Sequence, residues 1–247
     1  MNIDDNINAP IQPQSMTCHV TEITTICEDI TAFRAKIENE QVPNFKAGQY
    51  AFVQVSDFEG KPFSIACAPD ENEFEFHIRN SGHGVSAYVT HELKLGEEIQ
   101  ITAPFGDNYL RHLERPVLCI AGGLGITPMK SIIDHALALK TNTPLYIFYC
   151  AKSEAELYLK NHFISQSQKH PNLHFFGICD TDETAEKMTL SATLTKHVEN
   201  LHDCQAYIAG PFGLVEDIAN FLLDQGLPLD EMHSDAFQAL KIKPKET

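Results

Sequence analysis

Positive charge is scarce in this 247-residue chain, where 18 lysines and arginines stand against 34 aspartates and glutamates for a formal net charge of −16. That sign opposes nucleic acid and anionic membranes and suits a small molecule or a basic protein patch. Most of these carboxylates need do no more than keep a surface soluble. Metal-ligand and redox spacings are also missing. The 7 cysteines, at 18, 27, 67, 119, 150, 179 and 204, form no tight motif, which excludes an iron-sulfur cluster built from one. They lie mostly in or beside apolar runs and read as small core hydrophobes of a protein in the reducing cytosol. The 12 histidines are scattered, with no pair placed for zinc. Gly-x-Ser-x-Gly, His-Glu-x-x-His and a catalytic carboxylate pair are absent as well. No apolar run reaches the length a bilayer needs. The segment from Met1 to Ser15 is polar and acidic, with neither a basic nor an apolar signal region, so it reads as a short disordered tail.

What is present is a large apolar inventory, 43% of residues, in two contrasting patterns. In the first half, Phe74-Glu75-Phe76-His77-Ile78-Arg79 and Ile99-Gln100-Ile101-Thr102 alternate, and 50–55 is a more continuous β-rich run. Frequent Gly and Pro separate these stretches, which predicts an antiparallel barrel or sandwich with one short helix over 85–93. After Arg115-Pro116, apolar strands at 117–121, 145–150, 173–178 and 206–210 alternate with helical stretches at 128–140, 153–169, 189–198 and 212–225. That order calls for a parallel sheet covered by helices. Two domains are expected, with the boundary at 107–115.

Parallel α/β sheets bind ligands beyond the carboxyl ends of their strands. Three loops fall there: Gly122 to Thr127, Cys150 to Ser153, and Ala209-Gly210-Pro211-Phe212-Gly213. In the first, Thr127 is expected to cap a helix with Pro128 at its first position. Glycines and free N–H groups at such a start accommodate a pyrophosphate. The Rossmann fingerprint is broken, however. Pro128 stands where a third glycine belongs, and the strand 145–150 leads into Ala151-Lys152-Ser153, with no acidic residue for a ribose.

Along the chain stand Phe45-Lys46-Ala47-Gly48-Gln49-Tyr50, Lys61-Pro62-Phe63-Ser64-Ile65-Ala66, Ala121-Gly122-Gly123-Leu124-Gly125-Ile126-Thr127-Pro128, Ala209-Gly210-Pro211-Phe212-Gly213 and Ser234-Asp235-Ala236-Phe237. In this order they resemble the ferredoxin-NADP reductase superfamily, and within it the bacterial NAD(P)H:flavin oxidoreductases, including those that supply reduced flavin to luciferase. The resemblance spans residues 16–240. It implies an α+β two-domain fold, a six-stranded antiparallel β-barrel flavin domain followed by an α/β parallel-sheet nicotinamide domain, with the flavin ring between them. The implied bounds are 1–15 for the tail, 16–110 for the barrel, 111–241 for the NAD(P)-binding domain and 242–247 for a C-terminal tail.

The implied activity is hydride transfer from NAD(P)H to flavin N5 and release of reduced flavin, with neither metal nor general base. Two alternatives are a reductase component that keeps FAD and passes electrons to a separate ferredoxin or oxygenase, and a non-catalytic nucleotide-binding module. By resemblance, Lys61, Pro62, Phe63, Ser64 and Ile65 line the flavin, joined by Tyr50 and His77. Ser64 is the catalytic candidate, its hydroxyl near N5. Phe63 and Ile65 would offer backbone and apolar surface. Many members carry Arg where this chain has Lys61, a point charge without a planar fork, which suits loosely held flavin. Gly84, Val85 and Ser86 correspond to a turn that approaches flavin phosphates, and Ser86 is expected to cap the short helix. FAD, FMN and riboflavin are not separated by these residues. Gly122, Gly123, Gly125 and Thr127 would meet the nicotinamide-dinucleotide pyrophosphate, Gly210, Pro211 and Phe212 would border the nicotinamide, and Lys152 lies where a 2′-phosphate of NADPH can be met. Asp235 and Phe237 would approach the flavin face. The electron acceptor, a flavin-dependent monooxygenase or a ferredoxin-type protein among others, stays open, as does NADH against NADPH.

Overall fold

The computed structural model describes residues 11–38, 41–179 and 189–242. Its first part is a six-stranded antiparallel sheet of β1 (Gln14–Cys27), β2 (Ile30–Lys36), β3 (Tyr50–Gln54), β4 (Lys61–Ser64), β5 (Phe74–Arg79) and β6 (Glu98–Phe105), in the order β4-β3-β6-β1-β2-β5. The edge strands β4 and β5 adjoin, and just past β4 the N–H of Ala66 donates to the Glu75 carbonyl at 2.8 Å, so the sheet curls almost into a barrel. Alternation along the strands sends Cys18, Val20, Phe33, Ala35, Ala51, Val53, Ile99 and Ile101 inward to one core. A short helix, α1 (Gly84–His91), adds Val85 and Val89 to it.

β5 departs from its sequence pattern. Phe74, Phe76 and Ile78 face the core as alternation predicts, yet Glu75 and His77 on the opposite face are buried too. β1 begins at Gln14, which pairs with Ala103, so Gln14 and Ser15 are sheet residues although they fall in the stretch read as a tail. Residues 1–10 of that stretch, and 243–247 of the C-terminal one, lie outside the described residues.

The second part is a parallel sheet of β7 (Val117–Gly122), β8 (Leu145–Ala151), β9 (Leu173–Cys179), β10 (Gln205–Ala209) and β11 (Met232–His233), in the order β11-β10-β7-β8-β9. β7 is buried along its whole length, as the continuous apolar run of a strand covered on both faces predicts. Its helices are α2 (Ile126–Ala138), α3 (Lys160–Lys169), α4 (Leu190–His197), α5 (Phe212–Asp224) and α6 (Phe237–Leu240). α3 is shorter than its predicted span because Glu154–Glu156 folds as a separate 3-10 turn.

The chain divides into two compact units, the first taking residues up to Arg111 together with Lys130–His135, the second the remainder. Within the first unit, Ser131 donates to the Cys67 carbonyl at 2.6 Å and accepts from the Gly48 N–H at 3.3 Å. Among the described residues no helix is long and apolar enough to cross a membrane, and no group of His, Cys, Asp and Glu is placed to hold a metal. None of the seven cysteines is joined in a disulfide, and Cys18, Cys67, Cys119 and Cys204 are buried. Burial pushes the thiols of Cys18, Cys67 and Cys204 up to about 12, which leaves them inert. Cys27, Cys150 and Cys179 are only half-buried, so the core reading covers the other four.

Candidate functional site

In the first unit, antiparallel pairing sets Tyr50 opposite Ser64 and Phe52 opposite Pro62, which places these four side chains on one face of β3 and β4. Their neighbours Ala51 and Val53 point into the core, so this face is the outer one. Tyr50 stacks on Phe105 with centroids 5.7 Å apart, and Phe52 meets Phe105 edge-on at 5.1 Å. Phe52 is 36% exposed and Ser64 half-buried. The result is an open aromatic platform beside a hydroxyl. Lys61 and Pro62 are exposed. Phe63 packs against the core and Ile65 is fully buried, so these two offer the outer face backbone alone and no apolar side-chain surface.

His77 sits elsewhere in the first unit. Its Nε2 lies 2.7 Å from Glu75 Oε1, and the other carboxylate oxygen accepts from Arg34 at 2.6 Å and from Lys130 at 3.2 Å. Lys130 also reaches the Ala66 carbonyl and Asp134, each at 3.2 Å. Burial by itself would raise the Glu75 pKa, but the His77 bond and the charges of Lys130, His77 and Arg34 outweigh it and bring the carboxyl down to about 2. This buried charge network was not foreseen. Its signals were a lysine inside the apolar stretch of α2 and a Glu and a His interleaved with the core residues of β5.

The turn before α1 is closed by its own hydroxyls. Ser86 Oγ accepts from the Ser81 N–H at 3.1 Å and lies 2.5 Å from Ser81 Oγ. Ser86 is therefore not the helix cap. It is the third helical residue, and His83 occupies the cap position without a side-chain bond. Val85 is buried, while a Cβ added at Gly82 or Gly84 would meet nothing within 4 Å, so space is open over the turn. An exposed aromatic platform with a hydroxyl, and an unobstructed glycine turn, fit a planar ring with a polar tail.

In the second unit, β7 and β10 are adjacent and parallel, with Ala121 paired to Ala209. β7 runs through a 3-10 turn, Gly123–Gly125, into α2, and β10 turns through Gly210 and Pro211 into α5. Two helix starts thus stand side by side at the carboxyl edge of the sheet. Neither the 3-10 turn nor α5 has a side-chain cap, and no acidic residue lies in the first turn of α2 or α5, so both starts fit an anion such as pyrophosphate.

The glycines serve the loops before any ligand. A Cβ on Gly125 would fall 2.2 Å from the Ala209 carbonyl oxygen, and one on Gly210, whose φ is +148°, would fall 2.9 Å from the Gly122 N. Thr127 does not cap α2. The 3-10 turn continues directly into a helix that starts at Ile126, so Thr127 is buried in the first turn with its hydroxyl 3.3 Å from that of Tyr158. Lys152 is exposed just after β8, and beyond it Lys160, the first residue of α3, pairs with Glu154 of the 3-10 turn. Phe212 opens α5 with 60% of its surface exposed. Phe237 opens α6, half-buried and packed against the core of its own unit.

Comparison with known proteins agrees with this division. Residues 17–109 match the model of the oxidoreductase FAD-binding domain and 119–220 that of the oxidoreductase NAD-binding domain. An NAD(P)H-flavin reductase of Aliivibrio fischeri is 30% identical over 233 residues, 90% of this chain and 98% of that protein. The ferredoxin–NAD(P)(+) reductase component of the naphthalene 1,2-dioxygenase/salicylate 5-hydroxylase systems of a Ralstonia species is 31% identical over 224 residues, 88% of this chain and 67% of that one. Among solved structures, the cytochrome P450 reductase GcoB of Amycolatopsis shares the fold with a TM-score of 0.81 at 22% identity, over 90% of this chain and 69% of its own. With a near-barrel of the FAD-binding type followed by a parallel sheet of the NAD-binding type, and relatives at this identity, the chain belongs to the ferredoxin-NADP reductase superfamily of oxidoreductases.

Proposed function

We propose that this chain is an NAD(P)H:flavin oxidoreductase that admits oxidised flavin and releases it reduced, acting in the reducing cytosol, where cysteines outside disulfides are at home. The observation that carries the reading is the outer face of β3 and β4, where Ser64 stands opposite Tyr50 beside an exposed aromatic platform. When bound there, flavin supplies an acceptor at N5 for the hydride of the reduced nicotinamide.

The residues divide the remaining work. Tyr50, Phe52 and Phe105 stack against the ring and keep water from that face. Ser64 donates a hydrogen bond at N5, small enough to leave the nicotinamide room. Lys61 and the turn from Gly82 to Ser86 meet the flavin tail. Gly123 and the start of α2 take the nicotinamide-dinucleotide pyrophosphate, Pro211 and Phe212 border the nicotinamide, and Lys152 attracts a 2′-phosphate. Lys61 in place of a forked guanidinium holds a phosphate at one point only, which favours exchangeable flavin.

A second reading is favoured by the Ralstonia relative, a ferredoxin reductase component: the chain keeps its flavin and hands electrons to an oxygenase or ferredoxin partner. Oxidation of NADH and NADPH by extensively desalted protein separates the two. Turnover that requires added FAD, FMN or riboflavin identifies flavin as substrate. A protein that stays yellow and reduces a one-electron acceptor without added flavin is a partner-dependent reductase.

A further inference from the structure

Tyr50 and Ser64 stand opposite each other at neighbouring ends of β3 and β4, and Ser64 is the last residue of its strand. One step beyond that pair the ladder still holds, with the Ile65 N–H donating to the Gln49 carbonyl at 3.0 Å. The two chains then part around Ser131, a fully buried residue of α2. Its hydroxyl donates to the Cys67 carbonyl at 2.6 Å and accepts from the Gly48 N–H at 3.3 Å, so a side chain supplies the rung that the backbones no longer make. Lys130 beside it donates to the Ala66 carbonyl at 3.2 Å, and the Ala66 N–H is taken by the Glu75 carbonyl at 2.8 Å. On the other chain Gly48 is wedged, since a Cβ there would fall 2.3 Å from the Asn108 carbonyl oxygen and 2.9 Å from Ile132 Cδ1.

We infer that Ser131 is a positioning residue for flavin reduction: by tying the chain that leaves Ser64 to the chain that enters Tyr50, it sets the Ser64 hydroxyl at its place beside the aromatic platform. The role rests on the reading of Ser64 as the donor at flavin N5. Ile65 and Ala66, between Ser64 and Cys67, are both fully buried, and a close-packed segment passes a shift of the Cys67 carbonyl on to Ser64. A hydrogen bond weakens steeply away from its preferred geometry, so a small displacement of Ser64 is enough to lose its work at N5. Ser131 acts through Ser64, and its removal therefore costs no more than removal of Ser64.

A double-variant cycle on the full-length protein loaded with FAD tests this. Ser131→Ala should slow single-turnover reduction by NADH or NADPH about three- to tenfold with KM for the nucleotide unchanged, and in the Ser64→Ala background it should slow it less than about twofold. A second readout needs no turnover. With oxidised FAD labelled with nitrogen-15 at N5, Ser64→Ala should displace the N5 resonance, Ser131→Ala should displace it most of the way, and the double variant should match Ser64→Ala. If Ser131→Ala does not fold, Ser131→Cys, which keeps the volume and only a weak donor, goes through the same cycle. An unchanged rate, losses that multiply in the double variant, an N5 resonance that the Ser131 substitution leaves in place, or failure of both Ser131 variants to fold overturns the inference while Ser64 stays at N5. A Ser64→Ala protein with full rate and an unmoved N5 resonance overturns the reading of Ser64 and the inference with it.

Discussion

Glu75 pairs with Arg34, His77 and Lys130, and the consequence is a pH dependence of stability. Its carboxyl is depressed in the folded state to about 2 from an ordinary value of 4.5. A depressed acid contributes stability that is complete above the unfolded value and lost as pH falls toward the folded one, here between 4.5 and about 2. Glu75→Gln leaves the buried Lys130 ammonium short of a counter-charge, and at pH 7 should cost about 3–5 kcal/mol. The difference between wild type and variant in urea-unfolding free energy should shrink as pH falls through that window; a difference that stays constant from pH 6 to pH 3 contradicts the network. Ser64 invites a kinetic prediction. Ser64→Ala should slow flavin reduction by about tenfold or more, the worth of a hydrogen bond to a group gaining charge, with little change in KM for the nicotinamide nucleotide. Full activity of Ser64→Ala in single-turnover measurements removes Ser64 from N5. At this scale the sequence was legible where alternation decides. Tyr50 and Ser64 share the outer face as strand periodicity requires. It was not legible at Glu75 and His77, because the same periodicity assigns them to solvent and the partners of Glu75, Arg34 and Lys130, are remote in sequence.

Among the elements, the strand-to-helix turns of the second unit were recognised for the right residues and an incomplete reason. Gly122 and Gly125 were expected to make room for a phosphate and Gly210 to border the nicotinamide, whereas the loops lie against each other so closely that any side chain at Gly125 meets the Ala209 carbonyl. Contact between distant loops leaves no local mark in a sequence, so this steric need for glycine goes unseen there. Gly125→Ala should therefore act first on structure. With its Cβ 2.2 Å from a backbone oxygen that has no flexible end to move, the variant should lose about 1–3 kcal/mol and raise KM for NAD(P)H, with kcat less affected. A variant with wild-type melting temperature and raised KM would show the turn yielding freely and the effect residing in the ligand. The helix caps were misplaced by a residue or more at Thr127 and Ser86 for a common cause. In each, a hydroxyl typical of caps is used by tertiary or turn contacts, with Tyr158 in one case and Ser81 in the other.

In the whole molecule, the change of period from two to about 3.6 after Arg115-Pro116 announced both sheets and their strand directions, because burial on one face or on both is written directly into the apolar pattern. What the pattern could not carry is that the first unit is discontinuous. Lys130–His135, in the middle of a helix that reads as ordinary α/β covering, belongs with the near-barrel. Its contributions there are specific: Lys130 neutralises Glu75, Ser131 satisfies the Cys67 carbonyl and the Gly48 N–H, and Ile132 is fully buried. A fragment comprising residues 12–111 keeps every strand of the first sheet and loses all of these partners. Two buried polar backbone groups and a buried carboxylate left without Lys130 each cost about 1–3 kcal/mol or more, a large share of the stability of a domain of this size. The fragment should therefore unfold at markedly lower urea concentration than residues 12–111 do in the intact chain, followed there by amide hydrogen exchange in β5. Its deficit should be smallest below pH 3, where Glu75 is approaching protonation and no longer needs the lysine as much. Equal protection of β5 in fragment and intact chain would mean that the near-barrel stands on its six strands alone, and that Lys130 and Ser131 serve the helix that carries them.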